Sequence, residues 1–263
     1  MKLSQYERGM FRDAGYWVSP KILSWAEVSM ATHAFDAVLV GTYDRACPPQ
    51  GVERFGNAMI KVANAWWADS VIRARALDPR LGELAADLLG VPAVRLWADS
   101  LYWKAPGADG EQARIGWHQD KQYWSISSTD RMITAVIPLY VAGPESGGLR
   151  FIPGSHQWGL VGGSEALVGA DNAGRHVRPP VPAGQVWREV CPTVLPGQVS
   201  FHHCLTFHGS GANRMPAPRR SLTVHYVADE GRLVNWTPVA DGYLDTVGLG
   251  NPFRGRFFPR VWP

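Results

Sequence analysis

The sequence has little cysteine and no block of charge of one sign. Its three cysteines, Cys47, Cys191 and Cys204, are far apart and in no metal-binding spacing. We therefore expect reduced thiols in a cytoplasmic protein and no disulfide framework. Lysine and arginine exceed aspartate and glutamate by only 26 − 23 = 3, spread along the chain. This charge argues against a nucleic acid or an anionic membrane surface as a partner.

Long apolar runs are also missing. The longest, "MITAVIPLYVAG" at 132–143, is too short to span a bilayer as a helix and contains Pro138. The opening "MKLSQYERGMFRDAGYW" mixes charges into every short window and lacks the apolar region of a signal peptide. Hydrophobic residues, in contrast, make up 46% of the chain, and twelve of them are tryptophans. This supply predicts a sizeable core, with either a Trp-rich interior or an aromatic-lined pocket.

The first ninety or so residues are predicted to be mainly helical. One helix is expected after Ser24, because Glu27 three residues later completes a capping box, and Gly41 marks its end. A second helix is expected after Asp78, with Pro79 at its first position and Gly90 as its terminator.

Beyond Gly90 the pattern changes to short β-branched and aromatic runs separated by Gly, Pro and Asp. They are "AVRLWADSLYW", "RMITAVIPLYV", "LRFIP", "GQVSFHH" and "RSLTVHYV". Such spacing predicts a mainly β fold, an antiparallel sandwich or barrel with flanking α-helices packed outside. We expect one domain over 1–263, with a helical part at about 1–90 and a β core at about 91–263.

The stretch "GWHQDKQYW" at 116–124 contains a possible metal site. In an extended segment, His118 and Asp120 point to the same face and can bind one ion. A third ligand must come from the histidines elsewhere in the chain. We favour His208, because it ends a strand-like run and a Gly-Ser-Gly turn follows it at once. The others are His156, His176, His202, His203 and His225.

Two histidines and one carboxylate with open positions are typical of non-haem Fe(II) oxygenases, whereas Zn²⁺ with the same ligands would indicate a hydrolase. A nearby arginine side chain would distinguish the oxygenase from the hydrolase. Arg219 lies eleven residues after His208, and a hairpin between them would bring its guanidinium beside the metal. Such a fork of donors suits a dicarboxylate cosubstrate. The alternative is that Arg219 and Arg220 are a solvated pair at a strand entrance.

Four ordered motifs resemble the phytanoyl-CoA dioxygenase family. They are "WHQD" at 117–120, "GGLRFIPGSHQWG" at 147–159, "PGQVSFHHCLTFHGSGANRMPAPRR" at 196–220 and "FFPRVW" at 257–262. The opening "FRDAGYWVSPKILSWAEV" is also similar, so the resemblance covers nearly the whole chain.

The resemblance implies a double-stranded β-helix, or jelly roll, that uses Fe(II), 2-oxoglutarate and O2. It implies His118, Asp120 and His208 as iron ligands and Arg219 as the clamp for the far carboxylate of 2-oxoglutarate. Polar contacts to this cosubstrate are expected from Ser210, Lys104 and Ser100, although Ser100 is shorter than the residue usual in relatives. Further positions have smaller roles: Val136 replaces a tryptophan that touches the cosubstrate in some relatives, His156 stabilises a turn, His203 packs in a strand, and His225 lies in the core.

The expected substrate is a small molecule, in keeping with natural-product tailoring. Its pocket is expected around the His-x-Asp motif, and the aromatic content favours a ring-bearing compound. The candidates are Tyr102, Trp103, Lys121, Gln122 and Trp124. A CoA thioester is less expected, because no basic patch awaits its phosphates. Asp120 argues against halogenation, since a halogenase of this class leaves that position open for chloride.

Two other function classes remain open on the sequence. One is a cupin-like metal hydrolase or isomerase that uses the same three ligands without 2-oxoglutarate. The other is a non-catalytic jelly-roll binding module whose Trp-rich face is the functional surface. The residues also leave hydroxylation, cyclisation, desaturation and epimerisation unresolved, and a monomer or homodimer is expected.

Overall fold

The fold was analysed in a computed structural model, which describes residues 2–161, 178–235 and 247–263. His176 therefore lies outside the described residues. Four helices occupy Gln5–Ala14 (α1), Trp25–Leu39 (α2), Ser70–Ala76 (α3) and Pro79–Leu89 (α4). Eleven strands are described: Tyr16–Val18 (β1), Gly51–Phe55 (β2), Met59–Ala63 (β3), Val94–Lys104 (β4), Ile115–His118 (β5), Met132–Pro138 (β6), Leu149–Phe151 (β7), Ser200–His203 (β8), His208–Ser210 (β9), Arg219–Ala228 (β10) and Arg260–Trp262 (β11).

Side-chain caps fix the helix boundaries. The Ser24 hydroxyl accepts from the Glu27 amide at the start of α2, while the Glu27 carboxylate accepts from the Ser24 amide, so the predicted capping box is confirmed. Asp78 caps α4, whose first residue is proline, and Gly90 ends it with φ 65°, where glycine has no steric cost. Both predicted helices therefore lie where the sequence placed them.

The prediction of a mainly helical first ninety residues was wrong in part. This region also contains β1 and the hairpin β2–β3, and β3 continues the large sheet by pairing with β4. Both hairpin strands have only five residues, and the outer one, β2, is almost entirely exposed. Short strands of this kind depend on tertiary pairing with β4, which a local hydrophobic pattern does not reveal.

Two antiparallel sheets face each other to form the predicted jelly roll. The larger sheet has eight strands in the order β1-β8-β6-β10-β4-β3-β2, with β11 also paired to β4. The smaller sheet has three strands in the order β5-β9-β7. The prediction of a mainly β fold with outer helices is confirmed, whereas one domain over 1–263 stays a prediction. Within the described residues, every helix is too short or too polar to cross a membrane.

The two faces of β10 pack against different parts of the protein. Leu222, Val224 and Tyr226 are fully buried in the main core, which also contains α2, α3 and α4 residues. The alternate residues of the strand are polar yet also buried, and they face the small sheet: Arg219, Ser221, Thr223 and His225. Alternation along a strand thus separates an apolar scaffold from a polar interior.

A β-bulge in β4 adds an apolar end to the polar interior between the two sheets. His225 of β10 lies opposite Ala98, but the next residue, Tyr226, lies opposite Leu96, so Trp97 is an extra residue in β4. Trp97 is 3% exposed and packs on Phe253 with ring centroids 4.8 Å apart. It belongs to a second apolar cluster of described residues, which supports a structural role for part of the tryptophan content.

Candidate active site

His118 and Asp120 meet where β5 ends. His118 is the last residue of β5, and Asp120 opens a single helical turn, Asp120–Gln122. The residue between them, Gln119, is fully buried and points elsewhere: its amide nitrogen donates to the carbonyls of Gly159 and Leu205 at 2.8 and 2.7 Å. Gln119 thereby anchors the loop so that its two neighbours face the interior together.

His208 completes the cluster across the small sheet. It begins β9 and is the direct cross-strand partner of His118, with ring centroids 4.1 Å apart. Asp120 Oδ1 lies 3.8 Å from His118 Nε2 and 3.6 Å from His208 Nε2. The ligand atoms of the three residues all lie within 4.8 Å of one another, as a single ion would require. The structure therefore brings together the three residues that the sequence proposed.

Backbone carbonyls fix the protonation of the two histidines. His118 Nδ1 lies 2.9 Å from the carbonyl of Gly116, and His208 Nδ1 lies 3.0 Å from that of Thr206. A carbonyl only accepts, so each Nδ1 carries the proton and each Nε2 keeps its lone pair available to bind an ion. Burial lowers the pKa of both histidines to about 4, so both rings are neutral near pH 7.

Asp120 is ionised despite its burial. Burial alone would raise its pKa, but the neighbouring His208 and a hydrogen bond from His202 outweigh that effect and hold the pKa well below its usual value. Neutral imidazoles and an ionised carboxylate are the forms that bind a divalent metal. The three residues could therefore hold such an ion without losing a proton.

The structure adds three residues around Asp120 that the sequence did not select. His202 Nε2 lies 3.2 Å from Asp120 Oδ2, and the Thr134 hydroxyl lies 2.6 Å from the same oxygen. Thr134 in turn contacts His225 Nδ1 at 2.9 Å. His203, which we expected to pack in a strand, accepts from the Leu205 amide at 3.2 Å. Alternation in β8 separates these neighbours, and it is His202 that turns inward opposite Thr134.

Arg219 reaches the site by a different route from the one predicted. The expected hairpin with His208 was wrong, because β9 belongs to the small sheet and β10 to the large one. Arg219 is instead the cross-strand partner of Lys104 in β4. The Lys104 ammonium donates to the Ser210 hydroxyl at 2.7 Å and to the Gly211 carbonyl at 2.6 Å. Ser210 is two residues after His208, roughly 7 Å along the strand.

The two cations at this end of the interior are buried. Lys104 and Arg219 are 0% and 4% exposed, and Arg219 Nε has no hydrogen-bond partner. Burial, followed by the nearby Arg219, Arg150 and Arg114, lowers the pKa of Lys104 well below its usual value, while burial lowers the pKa of Arg219 to about 10. Among the described residues, no carboxylate lies within ion-pair distance of either. An unpaired buried charge is costly, so this arrangement favours an anion as partner.

A small cavity adjoins Arg219. Its lining includes Val136, Pro138, Leu149, Phe151 and Ser200. Phe151 also packs against the rings of His202 and His208, which links this cavity to the metal-ligand cluster. Val136 lines the cavity as a small apolar side chain in place of the tryptophan of some relatives. Ser100 is buried on the same face of the large sheet, opposite Thr223, and is absent from this lining.

The five substrate candidates separate into distinct groups. Tyr102 faces the interior beside Ser221, whereas Trp103, the next residue of β4, packs on the outer helical core, so its prediction as a pocket residue was wrong. Trp124 lies near the site, since its ring is 4.7 Å from that of His225.

The two polar candidates, Lys121 and Gln122, form hydrogen bonds around the loop that carries Asp120. The Lys121 ammonium donates to the carbonyls of Ser127 and Thr129, both at 2.8 Å, and pairs with Asp130 at 2.9 Å. Gln122 accepts from the Gln119 amide and donates to the Val161 carbonyl. Both are buried. These contacts hold the metal-ligand loop in place, and a role for either residue in substrate binding stays a prediction.

Tyr123 lies beside a metal-ligand candidate, although the sequence reading passed over it. Its ring lies edge-on to His118, with centroids 5.6 Å apart, and the residue is 46% exposed. Lys61 of β3 lies opposite Tyr102 and bonds Glu53 of β2 at 2.9 Å. The hairpin β2–β3 extends the large sheet beyond β4, so that Lys61 and Glu53 lie beside Tyr102.

His156 has the structural role that the sequence suggested. Its Nε2 lies 3.0 Å from the Arg12 carbonyl at the end of α1, and its ring fills the space beside Gly15. It therefore joins the turn at 153–159 to the first helix and takes no part in the metal-ligand cluster.

Comparison with known proteins places the chain among iron oxygenases. Residues 11–221 match the sequence profile of phytanoyl-CoA dioxygenase (PhyH). A probable phytanoyl-CoA dioxygenase of Caenorhabditis elegans is 28% identical over 163 residues, which are 58% of this chain and 49% of that protein. The chain thus matches about half the length of this relative.

Two crystal structures extend the likeness to nearly the whole fold. The non-haem α-ketoglutarate-dependent carbocyclase SnoK from nogalamycin biosynthesis is 26% identical, with a TM-score of 0.78, over 98% of this chain and 96% of its own. EctD from S. alaskensis, solved with 2-oxoglutarate and 5-hydroxyectoine, is 28% identical, with a TM-score of 0.69, over 88% of this chain and 78% of its own.

Proposed function

Because the chain belongs to the phytanoyl-CoA dioxygenase family and is a non-haem iron, 2-oxoglutarate-dependent dioxygenase, we propose that it oxidises an aliphatic C–H bond of a ring-bearing small molecule. Hydroxylation and the related outcomes of cyclisation, desaturation or epimerisation all begin from such a bond. A role in natural-product tailoring is supported by the similarity to SnoK, a carbocyclase of nogalamycin biosynthesis.

His118, Asp120 and His208 would hold the iron. Their donor atoms suit it, since two imidazole nitrogens and one carboxylate oxygen converge in the required protonation states. When bound, iron and 2-oxoglutarate together would activate O2 for C–H oxidation. The chain's own part is to fix the three ligands on one side of the ion and leave its other side open.

Two buried basic side chains without a carboxylate partner support 2-oxoglutarate as the cosubstrate. Arg219 and Lys104, with the Ser210 hydroxyl between the sheets, would bind the far carboxylate of 2-oxoglutarate, and the apolar cavity beside Arg219 would receive its methylene carbons. Ser100 lies on the same face and would contribute less, in keeping with its short side chain. A hydrolase or a binding module would not need a buried arginine without a carboxylate partner, so Arg219 favours an anionic cosubstrate.

The substrate would enter over the open side of the site. Tyr102, Tyr123 and Trp124 provide aromatic surface there, and the first two also provide hydroxyl groups near the metal ligands. A ring-bearing molecule would stack on this surface and expose one C–H bond to the iron. Orientation by the pocket would then decide which bond is oxidised.

An anaerobic titration tests the proposal directly. Purified protein is loaded with Fe(II), 2-oxoglutarate is added, and the weak charge-transfer absorption of the chelate is followed in the visible spectrum. We expect this band in the unmodified protein, its loss in His208→Ala, and a much higher 2-oxoglutarate requirement in Arg219→Ala.

Neighbouring residues provide matched controls. Arg220→Ala removes an arginine that faces outward and bonds Asp36 at 2.6 Å, and His203→Ala removes a histidine from outside the ligand cluster. Both variants should show the normal band. If the unmodified protein gave no band at saturating 2-oxoglutarate, the oxygenase assignment would fail, and activity with Zn²⁺ alone would support the hydrolase alternative.

A further inference from the structure

Both oxygens of Asp120 have defined surroundings, and they differ. Oδ1 faces the Nε2 atoms of His118 and His208. Oδ2 turns to the opposite side, where the Thr134 hydroxyl and His202 Nε2 lie 2.6 and 3.2 Å away. Asp120 is 6% exposed, so water has little access to replace these contacts.

The direction of each hydrogen bond follows from the chemistry of the partners. An ionised carboxylate only accepts, so Thr134 and His202 both donate to Oδ2. Because Thr134 has one hydroxyl proton and gives it to Asp120, its contact with His225 Nδ1 requires that His225 donate to the hydroxyl oxygen. A chain of donors therefore runs from His225 through Thr134 to Asp120.

The sheet register holds these donors in one row. Thr134 of β6 is the cross-strand partner of both His202 in β8 and His225 in β10. The three side chains therefore share the interior face of the large sheet, while Asp120 approaches from the loop after β5. Each is 8% exposed or less. Backbone pairing across three central strands fixes their relative positions.

We propose that Thr134, His202 and His225 are positioning residues that keep Asp120 bound to the metal through Oδ1 alone. This inference rests on the proposed function, in which Asp120 is an iron ligand. The two donors on Oδ2 would withhold that oxygen from a bound metal, so that Asp120 would occupy one coordination position and not two. His225 would act through the Thr134 hydroxyl, because its donation to that oxygen sets the direction in which Thr134 donates.

The metal alone provides the test, without turnover. Fe(II) affinity is measured anaerobically, and Co(II) is used as a spectroscopic substitute, because its visible absorption weakens as coordination number rises. Thr134→Val keeps the side-chain shape but removes the hydroxyl. We expect it to bind Fe(II) about 10–100-fold more weakly, as for loss of other groups that orient metal ligands. Its Co(II) band should weaken as Asp120 becomes bidentate.

Conservative variants separate positioning from packing. Thr134→Ser retains the hydroxyl and should restore most of the affinity and the Co(II) spectrum. His225→Asn offers an amide in place of Nδ1–H and should behave like the unmodified protein, whereas His225→Leu should resemble Thr134→Val. Ser19→Ala, which removes a buried hydroxyl that accepts from the Val199 amide outside this cluster, is the control for the loss of a buried hydrogen bond.

The outcomes distinguish this inference from the function on which it rests. If Asp120→Ala left Fe(II) affinity unchanged, the ligand assignment itself would be wrong. If Asp120→Ala abolished binding while Thr134→Val and His225→Leu matched the unmodified protein in affinity and Co(II) spectrum, only the positioning role would be wrong. Circular dichroism shows whether each variant folds, and the His225 pair decides the question should Thr134→Val misfold.

Discussion

The Lys104 ammonium donates a 2.7 Å hydrogen bond to the Ser210 hydroxyl and so joins the two sheets of the jelly roll. Lys104 belongs to the large sheet and Ser210 to the small one, two residues from the metal-ligand candidate His208. This bond holds the buried Lys104 side chain against β9, the strand that begins with His208.

Lys104→Met should therefore affect the cosubstrate more than the fold. We expect 2-oxoglutarate to bind the Fe(II)-loaded variant about 10-fold more weakly or worse, because a hydrogen bond to a charged group contributes about 1.5–3 kcal/mol. The metal-free variant should lose little stability, because the loss of the hydrogen bonds to Ser210 and Gly211 is offset by the removal of a buried basic group without a carboxylate partner. Calorimetric titration and thermal melting measure the two effects. An unchanged 2-oxoglutarate Kd would contradict the assignment of Lys104.

Tyr102 and Trp103 are adjacent but should respond oppositely to mutation. Trp103→Leu should lower the free energy of unfolding by about 1–3 kcal/mol, because it removes apolar contacts with the main core. It should leave the charge-transfer band intact. Tyr102→Leu should change stability less and impair turnover of any substrate found by a 2-oxoglutarate consumption screen. Urea unfolding and that assay give the readouts, and a large loss of turnover in Trp103→Leu alone would reverse the assignment.

Asp99 should make the protein less stable as pH rises. It is fully buried in β4, where burial raises its pKa to about 7 despite a hydrogen bond from the Trp66 amide, and its Oδ2 has no partner. Between the ordinary value of 3.8 and about 7, the folded state therefore holds a proton that the unfolded state has lost. This linkage costs up to about 1.4 kcal/mol of unfolding free energy per pH unit.

Asp99→Asn removes this titration. The stability of the variant relative to the unmodified protein should increase from pH 5 to 7 and level off above that. Because buried histidines titrate in both proteins, it is the difference between the two urea-unfolding series that reports Asp99. A difference that stays constant with pH would show that Asp99 is ionised throughout.

Asp229 should hold the C-terminal segment to the sheets. It accepts from Arg95 at 2.6 Å and Arg260 at 3.0 Å, and it pairs with Arg254. Asp229→Asn should lower the free energy of unfolding at pH 7 by about 1–3 kcal/mol, since it leaves the largely buried Arg95 without its partner.

The pH dependence has the opposite sign to that of Asp99. Hydrogen bonds from Arg254 lower the pKa of Asp229, so its contribution is complete above 3.8 and declines as pH falls below that value. Glu230→Gln is the matched control, because Glu230 forms only an exposed pair with Arg131 and should change stability by less than about 0.5 kcal/mol. Equal losses in the two variants would argue against a special role for Asp229.

Most of the candidate site residues could be selected from the sequence, because the signals that indicate them are local. The spacing of His118 and Asp120, the turn after His208 and the position of Arg219 are features of the sequence itself, and the resemblance added Lys104 and Ser210. All six lie in the polar interior or at its edge. Their residue types are unusual for buried strands, and this made them visible without a structure.

What the sequence did not reveal depends on register between distant strands. Thr134, His202 and His225 look ordinary in their own strands, and only the pairing of β6 with β8 and β10 brings them to Asp120. Trp103 was misplaced for a related reason: alternation separates it from Tyr102, but the sequence does not say which of the two faces is the interior. The β2–β3 hairpin was missed because its strands are short and its pairing partner lies far along the chain.

The extra residue at Trp97 gives β4 one position at which its length can change without reversing its faces. It lets Trp97 and Ala98 face the same side of β4, so that one strand serves both the polar interior and its apolar end. Deleting Trp97 would leave Leu96 opposite Tyr226 and Ala98 opposite His225, although the apolar end would lose the ring that packs on Phe253. Deleting a residue between Ala98 and Lys104 would instead turn the side chains on one side of the deletion to the opposite face. Changes of length in β4 would thus be tolerated at the bulge and excluded from the stretch that carries Lys104.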